Sequence, residues 1–433
     1  MEKYSSYKDS GVKWLGEIPS HWEVISLKHL ANISSGSTPS SSVEKYWNGN
    51  VRWITPADFK TETKYVSCGI RNITEEGVSA CSTVVLPQNS VVFSKRAPVG
   101  QVSITTEELC VNQGCIACVP NSKVISTFLY YLLSVYRNEF DFFSVGTTFR
   151  EISLKEFSSF KVSVPSILEQ ELIVKYLDSA TSQIDTAIEQ QKKMIELLNE
   201  RKQIIINNAV TKGLDPNVKM KDSGVDWIGE IPEGWEVRKL KHFAKTNSGS
   251  TPRSISGKDN PQSTIKWVRT TDLKNSHITD TSEYLSINEM KSASCPLLPK
   301  GTVLISMYGG EGSFGKLGLL DTEATINQAL CSINCTDKII PEFIFFYLQA
   351  IHPIWIKYAM STRKDPNLNQ QTIKNIDVVF PAIDEQMYIV SAINKSIIQI
   401  DRALDNFNDQ ISLLQERKQI IINEVVTGKV KVS

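Results

Sequence analysis

Two stretches of the chain carry apolar residues on alternating steps of four and three. The first runs Ile173, Leu177, Ala180, Ile184, Ala187, Met194, Leu198 and Ile205, and the second Ile389, Ile393, Ile400, Ala403, Phe407, Leu414 and Ile421. This heptad spacing predicts two long helices packed along their length. Gln191 and Arg201 interrupt the first seam, and Ser396, Gln410 and Arg417 the second; polar seam positions can fix register and pairing. Pro165 and Pro381 stop the segment before each helix. Ser166 with Glu169 spells a capping box, whereas Ala382 predicts a weaker cap for the second helix. Gly213 and Gly428 stand where the helices should end. A helix of about forty residues is roughly 60 Å long.

Outside these helices the pattern is shorter and mixed. β-Branched runs at Ser90–Phe93 and Thr302–Ile305 predict strands. Turn-rich stretches such as Ser35–Ser40 separate such runs. Phe128–Tyr136 and Phe343–Ile351 predict short buried helices. The order is therefore domain, helix, domain, helix, and a second helix packed on the first must run back along it. The expected fold class is α+β: two mixed α/β domains separated by a pair of long antiparallel coiled-coil helices. The boundaries are 1–163 for the first domain, 164–213 for a central spacer helix, 214–379 for the second domain and 380–433 for a C-terminal spacer helix.

The two halves are copies, which implies a pseudo-twofold internal repeat. Residues 8–39 read KDSGVKWLGEIPSHWEVISLKHLANISSGSTP and residues 221–252 read KDSGVDWIGEIPEGWEVRKLKHFAKTNSGSTP, with 22 of 32 positions identical. Asn112-Gln113 returns as Asn327-Gln328, and Glu200–Asn207 returns unchanged as Glu416–Asn423. Identity is high at the ends of each unit and low in the middle. A shared scaffold with diverged middles suggests two related domains with different ligands; the alternative is neutral drift in loops.

Net charge is zero, which argues against a free-standing nucleic-acid binder and fits one that shares its ligand with partners. The helices, at 166–213 and 382–429, carry seven acidic with six basic and seven acidic with five basic residues, so they total −3 and the rest +3. No apolar run is long enough to cross a membrane and the N-terminus has no signal pattern, so a cytoplasmic location is expected. The eight cysteines are too sparse for a disulfide scaffold. Cys115-Ile-Ala-Cys118 has the CxxC form, and Cys331…Cys335 is the only second pair a zinc site would have. The simpler reading is buried thiols in strands.

Catalytic motifs are missing. Gly310–Gly315 with Lys316 approaches both GxGxxG and a P-loop. However, Leu317 replaces the required Ser or Thr, and no helix pattern follows to meet phosphates; a glycine-rich hairpin or loop is expected. Asp215-Pro216-Asn217 and Asp365-Pro366-Asn367 lack the second proline and the aromatic ring of an adenine-methyltransferase motif. No nuclease carboxylate cluster or paired histidine motif stands out, so no catalytic or metal site is expected.

The duplicated Trp-Leu/Ile-Gly-Glu-Ile-Pro-x-x-Trp-Glu opening, Ser-Gly-Ser-Thr-Pro, the Pro-x-Ile-x-Glu-Gln start of each helix (Pro165–Gln170 and Pro381–Gln386) and the Leu-Leu-x-Glu-Arg-Lys-Gln-Ile-Ile-Ile close together resemble the specificity (S) subunits of type I restriction–modification systems. The resemblance spans essentially the whole chain. It implies a non-catalytic DNA-binding subunit in which each globular part is a target recognition domain reading one half of a bipartite, asymmetric target. It implies two modification (methyltransferase) subunits, which bind S-adenosylmethionine and methylate adenine. It also implies restriction subunits, which use ATP and Mg2+ for translocation and cleavage. No cofactor is expected on this chain. Readers on one face of the duplex would have centres roughly 34–36 Å apart, about one helical turn. An alternative is a coiled-coil protein-interaction scaffold without sequence-specific DNA binding; another, disfavoured by the missing motifs, is a fused enzyme.

Base readout needs Arg, Lys, Asn or Gln at base edges. The candidate DNA-facing residues are Ser37, Thr38, Lys95, Arg96, Thr147, Thr148 and Arg150 in the first domain. In the second they are Ser250, Thr251, Arg253, Tyr308, Lys316, Arg363, Lys364 and Asn369. Trp53 and Trp267 are expected in the core rather than stacked on bases. Candidate partner-docking residues on the helices are Gln170, Glu200, Gln386 and Glu416.

Overall fold

The computed structural model describes all residues except 1, 60–62, 97, 145–149, 309–312, 353, 355–367 and 433. The chain forms two compact units, one of Met1–Gln191 with Asn408–Ser433 and one of Lys192–Phe407. Each unit boundary cuts through a long helix, so every unit holds one mixed domain and a segment of both helices.

In the first unit a five-stranded sheet has the order Ala31–Ser35, Cys115–Pro120, Val91–Ser94, Val102–Thr105 and Tyr65–Val66. Only the last pair is parallel. Alternate side chains leave its two faces. Val91, Phe93, Ile116 and Cys118 enter the main core with the buried helix Ser126–Val135, whereas Val92, Cys115 and Ala117 enter a smaller one with Ile54 and Val111. A three-stranded sheet built on Trp47–Ile54 covers Trp47, Trp53 and Cys110. Strands Glu23–Ser26 and Lys161–Val164 pair antiparallel and lead into the first long helix.

The second unit repeats this plan. Its five-stranded sheet runs Ala244–Ser248, Leu330–Cys335, Val303–Ser306, Leu317–Leu320 and Ser276–Ile278. Pro341–Ala350 is the buried helix, and Ser263–Val268 carries Trp267. Val303 pairs with Leu319 and Ile305 with Leu317, so the glycine-rich segment between them connects a hairpin, as expected; residues 309–312 themselves lie outside the described residues.

The long helices are Ile167–Lys212, 46 residues, and Ile383–Val426, 44 residues. Within each unit their segments run antiparallel. Ile173 and Leu177 share a core with Ile422, Val425 and Val426, and Ile206 and Val210 share one with Ile389 and Ile393. Asp185 pairs with Lys418 at 2.6 Å in the first unit, and Lys202 with Asp401 at 2.7 Å in the second. The heptad seam is only partly as predicted. Met194 is 44% exposed and Leu198, Phe407, Leu414 and Ile421 are half-buried, because two helices shield one side only; deep burial occurs near the helix ends, where a domain covers a second side.

The ends of the helices explain the duplicated Glu-Ile-Pro-x-x-Trp motif. Gly213 and Gly428 both have φ +75°, the left-handed conformation that closes a helix. Gly213 lies against Trp235 and Pro232, and Gly428 against Trp22 and Pro19. A Cβ on Gly428 would come within 2.5 Å of Pro19 Cδ, whereas one on Gly213 meets nothing nearer than 3.3 Å. Gly428→Ala should therefore lower stability by about 2–3 kcal/mol and Gly213→Ala by about 1 kcal/mol, measured as the shift in urea midpoint; equal losses would rule out the packing difference.

The helix starts depart from the capping-box expectation. Ser166 Oγ accepts from Glu169 N–H at 3.4 Å. The Glu169 carboxylate does not fold back on the helix; it accepts from Tyr4 Oη at 2.7 Å and Trp22 Nε1 at 3.2 Å and pairs with His21 at 2.9 Å. Three tertiary partners outweigh one local one.

Candidate nucleic-acid interface

Glycine dictates the first loop. A Cβ on Gly36 would lie 2.0 Å from Val111 O, so only glycine lets the chain pass there. Ser37 N–H then donates to Val111 O at 3.0 Å, and Trp53 Nε1–H donates to Ser37 O at 3.1 Å. The Trp53 ring is buried beside Trp47 at 5.4 Å, so this tryptophan packs and holds a loop. Thr38 follows, with its hydroxyl donating to Gln113 Oε1.

Three more segments meet this loop at the same end of the sheet, because Ser35 pairs with Ile116 and Ser94 with Cys115. Asn112 Oδ1 accepts Gly114 N–H at 2.9 Å and shapes the turn bearing Gln113. Lys95 N–H donates to Gly114 O at 2.9 Å, and Ile152 N–H to Lys95 O at 3.1 Å. Lys95 and Arg96 share the Glu151 carboxylate at 2.9 and 3.7 Å, while Arg150 pairs with Asp141 at 2.6 Å. Partly exposed pairs are worth about 0–1 kcal/mol, so an arriving phosphate or base edge can displace the carboxylate.

The second unit rebuilds the frame. A Cβ on Gly249 would lie 2.0 Å from Ile326 O. Ser250 N–H donates to Ile326 O at 3.0 Å, Trp267 Nε1–H to Ser250 O at 3.2 Å, and Thr251 Oγ1 to Gln328 Oε1. Met307 N–H donates to Ala329 O at 2.9 Å and Leu368 N–H to Met307 O at 2.8 Å. These are the backbone bonds of Lys95, so Met307 and Tyr308 occupy the places of Lys95 and Arg96. Tyr308 Oη donates to Gln328 O at 3.1 Å.

Ser37, Thr38, Lys95, Arg96 and Arg150 thus gather in one cluster, and Ser250, Thr251 and Tyr308 in another; Lys316 stands at the same end of the second sheet, its carbonyl accepting from Ser306 N–H at 2.9 Å. Arg253 is exposed two residues past Thr251. Asn369 stands beside the second cluster, but its Oδ1 caps the helix Gln370–Lys374 through Thr372 N–H at 2.8 Å, so that oxygen serves folding. Thr147, Thr148, Arg363 and Lys364 lie outside the described residues.

Two partner-docking expectations are overturned. Gln170 and Gln386 are both 0% exposed. Gln170 Oε1 accepts from Ile125 N–H at 3.0 Å and Nε2 donates to Lys123 O and Pro165 O at 2.9 and 3.0 Å. Gln386 repeats this with Ile340 N–H, Lys338 O and Pro381 O. They tie each helix start to its domain. Glu200 and Glu416 are exposed.

The CxxC pair does not converge. Cys115 and Cys118 point to opposite faces of one strand, into different cores, and burial pushes both thiols well above their ordinary range. Burial likewise raises Cys331 and Cys335 to about 12. Among the described residues no group of three metal-ligating side chains comes together, and no helix is long and apolar enough to cross a membrane.

The repeated Asn-Gln dipeptide was the sequence signal for Gln113 and Gln328. Glu151, which holds both cations, carried no such signal.

Residues 19–197 and 232–420 match the family model described as "Type I restriction modification DNA specificity domain". The MjaIX type I specificity subunit of Methanocaldococcus jannaschii is 27% identical over 426 residues, 96% of this chain and 95% of that one. The EcoBI specificity subunit of Escherichia coli is 21% identical, over 97% of this chain and 89% of its own. Among solved structures, a chain from a study of complex assembly in a type I R-M system superposes with a TM-score of 0.75 at 15% identity, over 95% of this chain and 99% of that one. The HsdS subunit of Thermoanaerobacter tengcongensis gives 0.53 at 14% identity, over 95% and 98% of the respective chains.

Proposed function

The chain belongs to the type I restriction–modification DNA specificity family, and from that premise we propose that its two domains each read one half of a bipartite, asymmetric DNA target while the chain itself performs no chemistry. The observation that carries this is the contrast inside the loop clusters. The frame of glycine, serine, tryptophan and asparagine recurs bond for bond, yet Lys95 and Arg96 give way to Met307 and Tyr308 at the same backbone positions. A lysine and an arginine suit guanine acceptors, whereas in the second domain Met307 is buried in the core and exposed Tyr308 alone is left to meet a base edge. Two such surfaces favour different half-sites.

In this reading the long helices set the number of unread base pairs and dock two modification subunits. Exposed Glu200 and Glu416 serve that docking, beside the repeated exposed pairs Leu197 with Ile204 and Leu413 with Ile420. S-adenosylmethionine belongs to the modification subunits, and ATP and Mg2+ to the restriction subunits that complete the assembly in the cytoplasm.

The deciding experiment is a single-molecule methylation map of a host genome expressing the chain with its modification subunits. The expected result is a new two-part motif with one modified adenine per half and a gap of unread bases. An unchanged map despite an assembled complex would defeat the proposal and favour a coiled-coil interaction scaffold.

A further inference from the structure

Most identities shared by the two loop clusters have a folding reason. Gly36 and Gly249 have no room for a side chain, and Asn112 and Asn327 close turns through their Oδ1 atoms at 2.9 and 3.2 Å. Gln113 and Gln328 fill no tight space, and their side chains close no turn. Both are exposed, and each side chain bonds only to the hydroxyl of Thr38 or Thr251 on the neighbouring loop. Because the threonine donates to Oε1, the two Nε2 hydrogens of each glutamine remain to be given, and no protein acceptor takes them among the described residues. The positions beside them, Lys95-Arg96 and Met307-Tyr308, have diverged.

This difference bears on what the glutamines touch. If the domains read different half-sites, the reading on which this inference rests, a group kept identical in both does not choose the bases. Phosphate oxygens are common to every half-site and accept hydrogen bonds without regard to sequence. An uncharged carboxamide whose two N–H groups have no partner among the described residues, fixed by its threonine, suits that acceptor. We infer that Gln113 with Thr38, and Gln328 with Thr251, form one sequence-neutral phosphate-binding pair per domain that sets its register on the duplex, leaving base choice to the diverged positions.

The test uses the full chain assembled with its modification subunits and two duplexes, one carrying the mapped target and one with the same bases scrambled. Gln113→Glu and Gln328→Glu should each weaken binding to both duplexes by the same factor, about 10-fold or more, with the methylated motif unchanged. Gln113→Lys should tighten both and steepen the dependence of log affinity on log salt by about one. Thermal melting and retention of the modification subunits check the fold. A Glu variant that alters the bases methylated in its own half makes the glutamine a base reader and overturns the inference. Unchanged affinity for both duplexes in a folded, assembled variant overturns it too. Failure of the functional reading looks different: the unsubstituted complex would bind target and scrambled duplex equally and add no motif.

Discussion

Replacing Lys95 by Met and Arg96 by Tyr, the residues at the equivalent place in the other domain, should change the bases read in one half of the target and leave the other half intact. Base-edge contacts by such side chains are worth about 1–3 kcal/mol each, so the loss of both, about 2–6 kcal/mol, should lower affinity for the original target about 30- to 20,000-fold. The frame should survive, because the bonds that place residue 95 run through its backbone, to Gly114 O and from Ile152 N–H. The ion pairs with Glu151 that disappear are partly exposed and contribute little to stability. A methylation map of the double variant reads both halves at once. An unaltered motif with uniformly weaker binding would instead make the two cations phosphate contacts.

Gln170→Leu and Gln386→Leu should each cost about 3–5 kcal/mol of stability. Leucine fills a similar volume but satisfies none of three hydrogen bonds: one from Ile125 or Ile340 N–H, and two to the carbonyls of Lys123 and Pro165 or of Lys338 and Pro381. Each backbone group left unpaired in the interior costs about 1–3 kcal/mol. That is a large share of the roughly 5–15 kcal/mol that holds a protein of this kind folded. Chemical unfolding should show the lower midpoint, with the loss confined to the unit carrying the substitution. Glu200→Ala and Glu416→Ala, on exposed turns of the same helices, should shift it by less than about 0.5 kcal/mol. A loss below 1 kcal/mol for either leucine variant would mean that water replaces the amide and that it is no tie.

Much of the architecture is legible in the chain alone. The duplication is visible as repeated strings, and it alone implies two domains of one plan. The helices follow from their heptads, and their ends from Pro165, Pro381, Gly213 and Gly428, because proline and left-handed glycine act locally. Trp53 and Trp267 are recognisable as core residues. The candidate loops are legible as well, since Ser-Gly-Ser-Thr-Pro and Asn-Gln recur in a chain whose middles diverge.

What the sequence leaves open is the direction and partnership of individual polar side chains, which residues distant in the chain decide. Gln170 and Gln386 read as polar helix positions free to meet a partner. They turn inward because each domain covers the first turns of its helix, and its backbone offers one donor and two acceptors there. Glu169 reads as a local cap, but Tyr4, His21 and Trp22 arrive around it. Met194 reads as seam, yet it is 44% exposed. Periodicity and turn chemistry are short-range properties and so belong to the sequence. The pairing of a buried amide or a loop cation depends on contacts across 45 to 56 residues of chain, and only the folded protein settles it.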